Sequence, residues 1–73
     1  MRWQYLFVAF NTAGGQWRPF RINDVEIKDW KKGVDRTTFC NQLGMEGWEM
    51  VSHTYTIASG FVSTSLIIFK KPL

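Results

Sequence analysis

The first strand-like segment of this sequence carries apolar side chains on both of its faces. Residues 3–10 place Trp3, Tyr5, Phe7 and Ala9 on one face and Gln4, Leu6, Val8 and Phe10 on the other. A sheet with one solvated face normally alternates between apolar and polar residues. We therefore expect this strand to be covered on both sides, and this requirement constrains the fold more than any other feature.

A β-hairpin is predicted next. Residues 17–22 and 25–30 form its two arms, and Asn23-Asp24 lies between them. Asn and Asp tolerate the positive φ angles that a two-residue hairpin turn requires. Because Pro19 has no backbone N–H, it favours an edge position for the first arm.

A second hairpin is predicted after a helix. Residues 47–57 and 61–70 form its strands, and residues 58–60 connect them, with Gly60 supplying a left-handed residue. Residues 11–15, which end in two glycines, are predicted as the loop that follows the first strand.

Between the hairpins, the sequence predicts one short helix. Asp35 is a suitable N-cap, and the helix runs to about Leu43, where Gly44 is placed to end it. Phe39, Cys40 and Leu43 form a narrow apolar stripe. A helix of about three turns is not stable alone in water, so it must pack against the sheet.

Together these elements predict a single α+β domain over residues 1–73. It has a mostly antiparallel sheet of three to five strands, with one short helix packed on one face, in β-hairpin-α-β-β order. One helix of this length cannot cover both faces of such a sheet. A self-complementary contact between copies would bury the other face, and two-fold dimers are the commonest oligomers. We therefore predict a non-enzymatic interaction module that forms a homo-oligomer through its sheet.

Three motifs support a resemblance to a known family. They are Trp3-Gln4-Tyr5, Leu43-Gly44 followed by Glu46-Gly47-Trp48-Glu49, and Phe69-Lys70-Lys71-Pro72. With these motifs the sequence resembles the small bacterial family catalogued as domain of unknown function 4177. The resemblance spans the chain apart from residues 11–34. It implies a compact α+β unit with a mostly antiparallel sheet, and it implies no activity.

The composition argues against several classes of protein. Apolar residues make up 45% of the 73 residues and aromatic residues 16%, which is not typical of disorder. No apolar run approaches the roughly 18 residues of a membrane helix, and we predict no signal peptide. Cys40 is the only cysteine, so we expect no intrachain disulfide and a reducing, cytoplasmic setting.

Few residues in the sequence are suited to catalysis. His53 is the only histidine, and we expect a half-buried strand residue with one hydrogen bond. Cys40 lies on the apolar helix stripe, where a thiol is usually inert. Gly14-Gly15 lacks the Lys and Ser/Thr of a phosphate-binding loop. We therefore predict no enzyme activity, no metal and no cofactor.

An alternative function comes from the charged segment 17–36. Arginine beside aromatic residues can stack a base and hold a phosphate. The alternative is therefore a protein that binds a small anionic ligand, a nucleotide or cyclic nucleotide, at a subunit interface. Its candidate ligand-binding residues are Trp17, Arg18, Arg21, Trp30 and Lys32. The segment has six positive and four negative charges, an excess of +2 that is small for a nucleic-acid partner, which we do not expect.

Overall fold

The chain forms an antiparallel sheet with one α-helix, in a computed structural model that describes residues 1–58 and 61–73. Its elements are β1 (Trp3–Ala13), β2 (Gln16–Ile22), β3 (Val25–Glu26), a 3-10 turn (Trp30–Lys32), α1 (Arg36–Met45), β4 (Glu49–Ala58) and β5 (Phe61–Pro72). The five strands lie in the order β3-β2-β1-β5-β4, and all neighbours are antiparallel. The predicted α+β class and antiparallel sheet are confirmed. The predicted turn at Gly60 lies outside the described residues.

The first turn is tighter than the sequence predicted. β1 continues to Ala13, and Asn11 pairs with Arg18, so the predicted loop over residues 11–15 is wrong except at its end. Gly14 and Gly15 have φ angles of +64° and +77°. Two successive residues with positive φ make a turn whose twist matches that of the strands, so both strands continue up to it.

The turn at Asn23-Asp24 is confirmed, but the strand after it is short. Asn23 and Asp24 have φ angles of 48° and 67°, as a two-residue hairpin turn requires. β3 then comprises only Val25 and Glu26, so the predicted arm over residues 25–30 is wrong beyond that point. Asp29 adopts a left-handed φ of 57° and directs the chain into the 3-10 turn.

Pro19 does not place β2 at the edge of the sheet. β2 lies between β1 and β3, so that prediction is wrong for the strand as a whole. However, β3 pairs with Arg21 and Ile22, beyond the proline, and Pro19 itself pairs with Phe10 of β1. A shift in the β1–β2 register at this point leaves Phe20 as an extra residue. Proline is tolerated here because β3 does not reach it.

Helix α1 begins at the predicted cap. Asp35 is the N-cap, and its carboxylate accepts a hydrogen bond from the Thr38 N–H at 2.8 Å. Hydrogen bonding from the Thr38 side chain and, secondarily, from its backbone N–H lowers the pKa of the Asp35 carboxyl, because it stabilises the charged form. The start of the helix is thus fixed by local sequence.

The end of α1 differs from the prediction, which placed the cap at Gly44. The helix continues to Met45, and Gly47, with a φ of +93°, makes the turn. The N–H of Gly47 donates to the Gly44 carbonyl at 3.1 Å, and the N–H of Trp48 donates to the Leu43 carbonyl at 3.0 Å. This pair of bonds is the Schellman motif, in which the glycine follows the last helical turn.

The core lies between α1 and one side of the sheet, which we call the helix side. Leu6 pairs with Phe69 and Val8 with Ile67, and residues directly opposite each other share a side. The buried core consists of Val8, Phe10, Leu43, Ile67 and Phe69. Phe39, Cys40 and Trp48 are partly buried against it, as the apolar helix stripe predicted for Phe39 and Cys40.

Candidate functional site

The side of the sheet opposite α1 carries exposed aromatic residues. We call it the open face and define it by Trp3, Tyr5, Phe7, Leu66 and Ile68. Phe7 pairs with Ile68, which places both on this side, away from the core residues. Phe7 is 46% exposed and Tyr5 is 52% exposed. Within the single chain, the open face therefore lacks the cover that α1 gives to the helix side.

Phe7 is held at a fixed position on the open face by the turn that follows β2. The Phe7 N–H donates to the Asn23 Oδ1 at 3.0 Å, and the Asn23 N–H donates to the Phe7 carbonyl at 2.8 Å. A depression of about 320 Å³ beside the ring is lined by Phe7, Asn23, Asp24 and Leu66. The open face thus combines an aromatic residue whose backbone is held by two hydrogen bonds with an adjoining concavity.

A second group of residues meets on the helix side, at the start of α1. The Arg36 Nη1 donates to the Ser65 Oγ at 3.1 Å and to the Tyr55 Oη at 3.3 Å. Its guanidinium carbon lies 5.2 Å from the centroid of the Trp17 ring and 5.9 Å from that of Tyr55. We call this group, which also includes His53, the Arg36 cluster. It joins α1 to β2, β4 and β5.

His53 completes the Arg36 cluster through a hydrogen bond with Ser65. The His53 Nε2 and Ser65 Oγ are 2.8 Å apart, and Ser65 is fully buried. Arginine can only donate, so the Ser65 oxygen accepts from Arg36 and its own proton is available to neutral His53. The predicted single hydrogen bond of His53 is present, although its side chain is exposed rather than half-buried.

The Ser65–His53 contact has the spacing of a nucleophile and its base but not the surroundings. A nucleophile must reach a substrate, and Ser65 has no exposed surface. Its oxygen also accepts a hydrogen bond from a cation, which reduces its nucleophilic character. The pair therefore serves to join β4 and β5 to the start of α1.

Protonation of His53 is expected to destabilise the fold. Partial desolvation by the surrounding protein and, secondarily, the Arg36 charge lower the pKa of His53 from its ordinary value of 6.5. The unfolded chain then binds more protons than the folded chain, so stability is highest above pH 6.5 and declines as the pH falls below it. We expect a lower melting temperature at pH 5.5 than at pH 7.5, measured by circular dichroism.

The His53→Gln variant is the control for this pH dependence, because Gln does not titrate and can still hydrogen-bond with Ser65. Its melting temperature should change less between the two pH values than that of the wild type. Equal changes in both proteins would show that His53 does not cause the effect.

Cys40, one helical turn after Arg36, takes part in packing against the core. It is partly buried against the core, and burial raises the pKa of its thiol. A thiol with a raised pKa is a weak nucleophile at neutral pH. A neighbouring histidine could activate the Cys40 thiol, but His53, the only histidine of the sequence, hydrogen-bonds with Ser65 instead.

Two of the predicted ligand-binding residues meet around Phe20. The Arg21 guanidinium carbon lies 4.9 Å from the centroid of the Phe20 ring, and the Trp30 ring packs edge-to-face on Phe20 at 5.0 Å. Lys32, in the 3-10 turn, is exposed, and its backbone N–H donates to the Asp29 carbonyl at 3.0 Å. Arg21 and Trp30 therefore share one surface.

The other predicted residues lie elsewhere. Trp17 belongs to the Arg36 cluster on the helix side. Arg18 is used structurally: its Nε donates to the Ala13 carbonyl at 3.0 Å, and its Nη1 donates to the Gly33 carbonyl. The structure thus separates Trp17 from Arg21 and Trp30.

Sequence reasoning did not identify the Arg36 cluster as a unit. Arg36 and Ser65 are 29 residues apart in sequence, and their contact depends on how α1 docks on the sheet. The alternation of the predicted β4 strand did place His53 and Tyr55 on one side, which was the available signal. For the open face the sequence gives a more direct signal, because β1 carries apolar residues on both of its faces.

Comparisons of this chain with protein-family models, curated proteins and solved structures find no match. The resemblance to domain of unknown function 4177 therefore stays a prediction. In residues 1–58 and 61–73, no three His, Cys, Asp or Glu side chains are grouped so that they could hold a metal ion. The described part of the chain also contains no helix with the length and apolar character needed to span a membrane.

Proposed function

We propose that this protein is a non-enzymatic interaction module that forms a homo-oligomer through the open face of its sheet. The observation that carries the proposal is the exposure of Tyr5 and Phe7 beside Trp3 on the side of the sheet opposite the helix. Contiguous exposed aromatic residues mark surfaces that bind other proteins. A second copy of the same chain supplies a matching apolar surface.

The size of the open face supports this proposal. β1 and β5 pair over eight residues, from Trp3 to Phe10. β4 extends the face along β5, whereas β2 extends it only beside Val8 to Phe10. At about 4.8 Å between strands and about 3.4 Å per residue, these segments cover roughly 450 Å² as a flat area. Two such faces in contact bury roughly 900 Å², close to the lower limit for a specific interface.

The border of the open face also resembles that of an interface. Lys70 pairs with Glu49 on this side, and its Nζ lies 4.2 Å from the centroid of the Trp3 ring. Arg21 lies at the other border, opposite Ala9. An apolar centre with a charged, solvated rim is the usual anatomy of protein interfaces.

A charge at the centre of the open face is expected to disrupt the oligomer. The Phe7→Asp variant would place a carboxylate in an apolar contact, where it cannot be solvated. We expect the wild type to be at least a dimer at micromolar concentration and the variant to have half its mass. Size-exclusion chromatography with light scattering measures both masses.

Val25→Asp is the matched control for Phe7→Asp. Val25 is also exposed, but it pairs with Ile22, which lies opposite Val8 on the helix side. This variant should keep the wild-type mass. A monomeric wild type, or a Phe7→Asp variant with unchanged mass, would disprove the proposed use of the open face.

The alternative function, binding of a nucleotide or cyclic nucleotide, has less support. Arg18 already donates to two backbone carbonyls, so its guanidinium is largely engaged. Arg21 and Trp30 remain a small cation–aromatic surface that could contribute to such a site at a subunit interface. An increase in melting temperature with a nucleotide that is lost in Arg21→Ala would favour this alternative.

A further inference from the structure

β4 is a long strand at the edge of the sheet. Apart from one extra residue, Val51 between Met50 and Ser52, it lacks the features that normally protect an edge. Natural edge strands carry charges, proline or bulges, or are very short. From Met50 to Ala58, β4 contains no Asp, Glu, Lys, Arg or Pro. Its side chains from Glu49 to Ile57 are all exposed. This edge is therefore suited to pairing with another strand.

The opposite edge of the sheet carries more of these protective features. β3 has two residues, and the adjoining part of β2 contains Pro19, Arg21 and the extra residue Phe20. These features discourage strand addition. The contrast between the two edges indicates that pairing is blocked on one side and left available on the other.

We propose that β4 pairs antiparallel with β4 of a second copy, about a two-fold axis at Thr54. The register follows from the regular part of the strand. Residues 52–56 pair with β5 without interruption, and irregularities occur on either side, between Met50 and Ser52 and between Thr56 and Ile57. Thr54 is the centre of this regular stretch.

Pairing about Thr54 also matches most side chains with ones of the same kind. Thr54 lies opposite Thr54 of the second copy, Ser52 opposite Thr56, and Val51 opposite Ile57, while His53 lies opposite Tyr55. Hydroxyl pairs and aliphatic pairs across strands stabilise a sheet. This self-complementarity favours a second copy over an unrelated extended peptide as the partner of β4.

The inference rests on the proposed function, because it assigns a second interface to the same self-associating sheet. A two-fold axis normal to the sheet places both open faces on one side of a continuous ten-stranded sheet, twice the five strands of one chain. Two such sheets packed through their open faces form a tetramer with dihedral symmetry, a common class of oligomer. Edge and face contacts then contribute separately to assembly.

Charge substitutions at Val51 and Ile57 test the edge contact and its register. These residues are 50% and 67% exposed and lie outside the open face as defined. In Val51→Glu/Ile57→Glu, like charges oppose each other across the axis, so we expect half the wild-type mass by light scattering. In Val51→Lys/Ile57→Glu, each Lys opposes a Glu of the second copy, so the wild-type mass should return.

The outcomes separate this inference from the proposed function. If Val51→Glu/Ile57→Glu keeps the wild-type mass while Phe7→Asp halves it, the edge contact is disproved and the open-face interface stands. If the pattern is reversed, β4 pairing stands and the open-face interface is disproved. If both double variants lose mass equally, the Thr54 register is wrong, and a wild-type monomer disproves both interfaces. Far-UV circular dichroism confirms that each variant is folded.

Discussion

Replacing Phe10 by alanine is expected to lower the free energy of unfolding by about 3–5 kcal/mol. Phe10 is fully buried, and its ring packs edge-to-face on Phe39 of the helix at 5.9 Å. Its removal leaves a cavity between α1 and the sheet that the short helix cannot fill. Since small domains have about 5–15 kcal/mol of stability in total, much of it would be lost. Urea denaturation at a fixed protein concentration, followed by tryptophan fluorescence, measures the change.

Two valines provide a matched comparison for this prediction. Val8 is fully buried in the core, whereas Val25 is exposed and lies outside both proposed interfaces. Val8→Ala should destabilise the protein clearly, while Val25→Ala should change stability by less than about 0.5 kcal/mol. A Phe10→Ala variant as stable as the Val25→Ala variant would show that the core does not lie where Phe10 and Phe39 meet.

Replacing Arg36 by alanine is expected to lower the free energy of unfolding by about 2 kcal/mol. The variant loses charge-assisted hydrogen bonds to Ser65 and Tyr55, each typically contributing about 1.5–3 kcal/mol when buried and less when exposed. It also loses the cation–π contact with Trp17. The pKa of His53 should rise toward its ordinary value, because the neighbouring positive charge is gone and only the partial desolvation of the ring remains.

Denaturation and an NMR titration of His53 test the two parts of this prediction independently. Arg21→Ala is the control. Arg21 is exposed, and the described contact of its side chain is with the Phe20 ring. This variant should lower the free energy of unfolding by less than about 1 kcal/mol and leave the His53 titration unchanged. If Arg36→Ala leaves both stability and titration unchanged, the Arg36 cluster does not join α1 to the sheet.

Features set by neighbouring residues could be predicted from the sequence. Asp35 caps the helix because its carboxylate reaches an N–H three residues along the chain. Asn23-Asp24 makes the turn because both residues tolerate positive φ. The apolar residues on both faces of β1, together with a single short helix, likewise indicated that one apolar face would remain without a helix over it. Each of these predictions needs only the local geometry of a strand, turn or cap.

Features that depend on docking could not be predicted in the same way. Gly44 and Gly47 are both suitable helix stops, and the choice depends on where the Trp48 ring reaches the core. The spacing of Arg21 and Trp17 does not reveal that a register shift between β1 and β2 lies between them. The Arg36 cluster brings together residues from four elements, which no local pattern specifies.

The corner after α1 links segments that are distant in sequence. The Trp48 N–H donates to the Leu43 carbonyl at the end of the helix. The Lys71 Nζ lies 4.8 Å from the centroid of the Trp48 ring and donates to the Glu46 carbonyl oxygen at 3.3 Å. Unwinding the last helical turn would therefore also release the beginning of β4 and the end of β5. We expect these contacts to make α1 and the adjoining ends of β4 and β5 open together as one cooperative unit rather than fray separately.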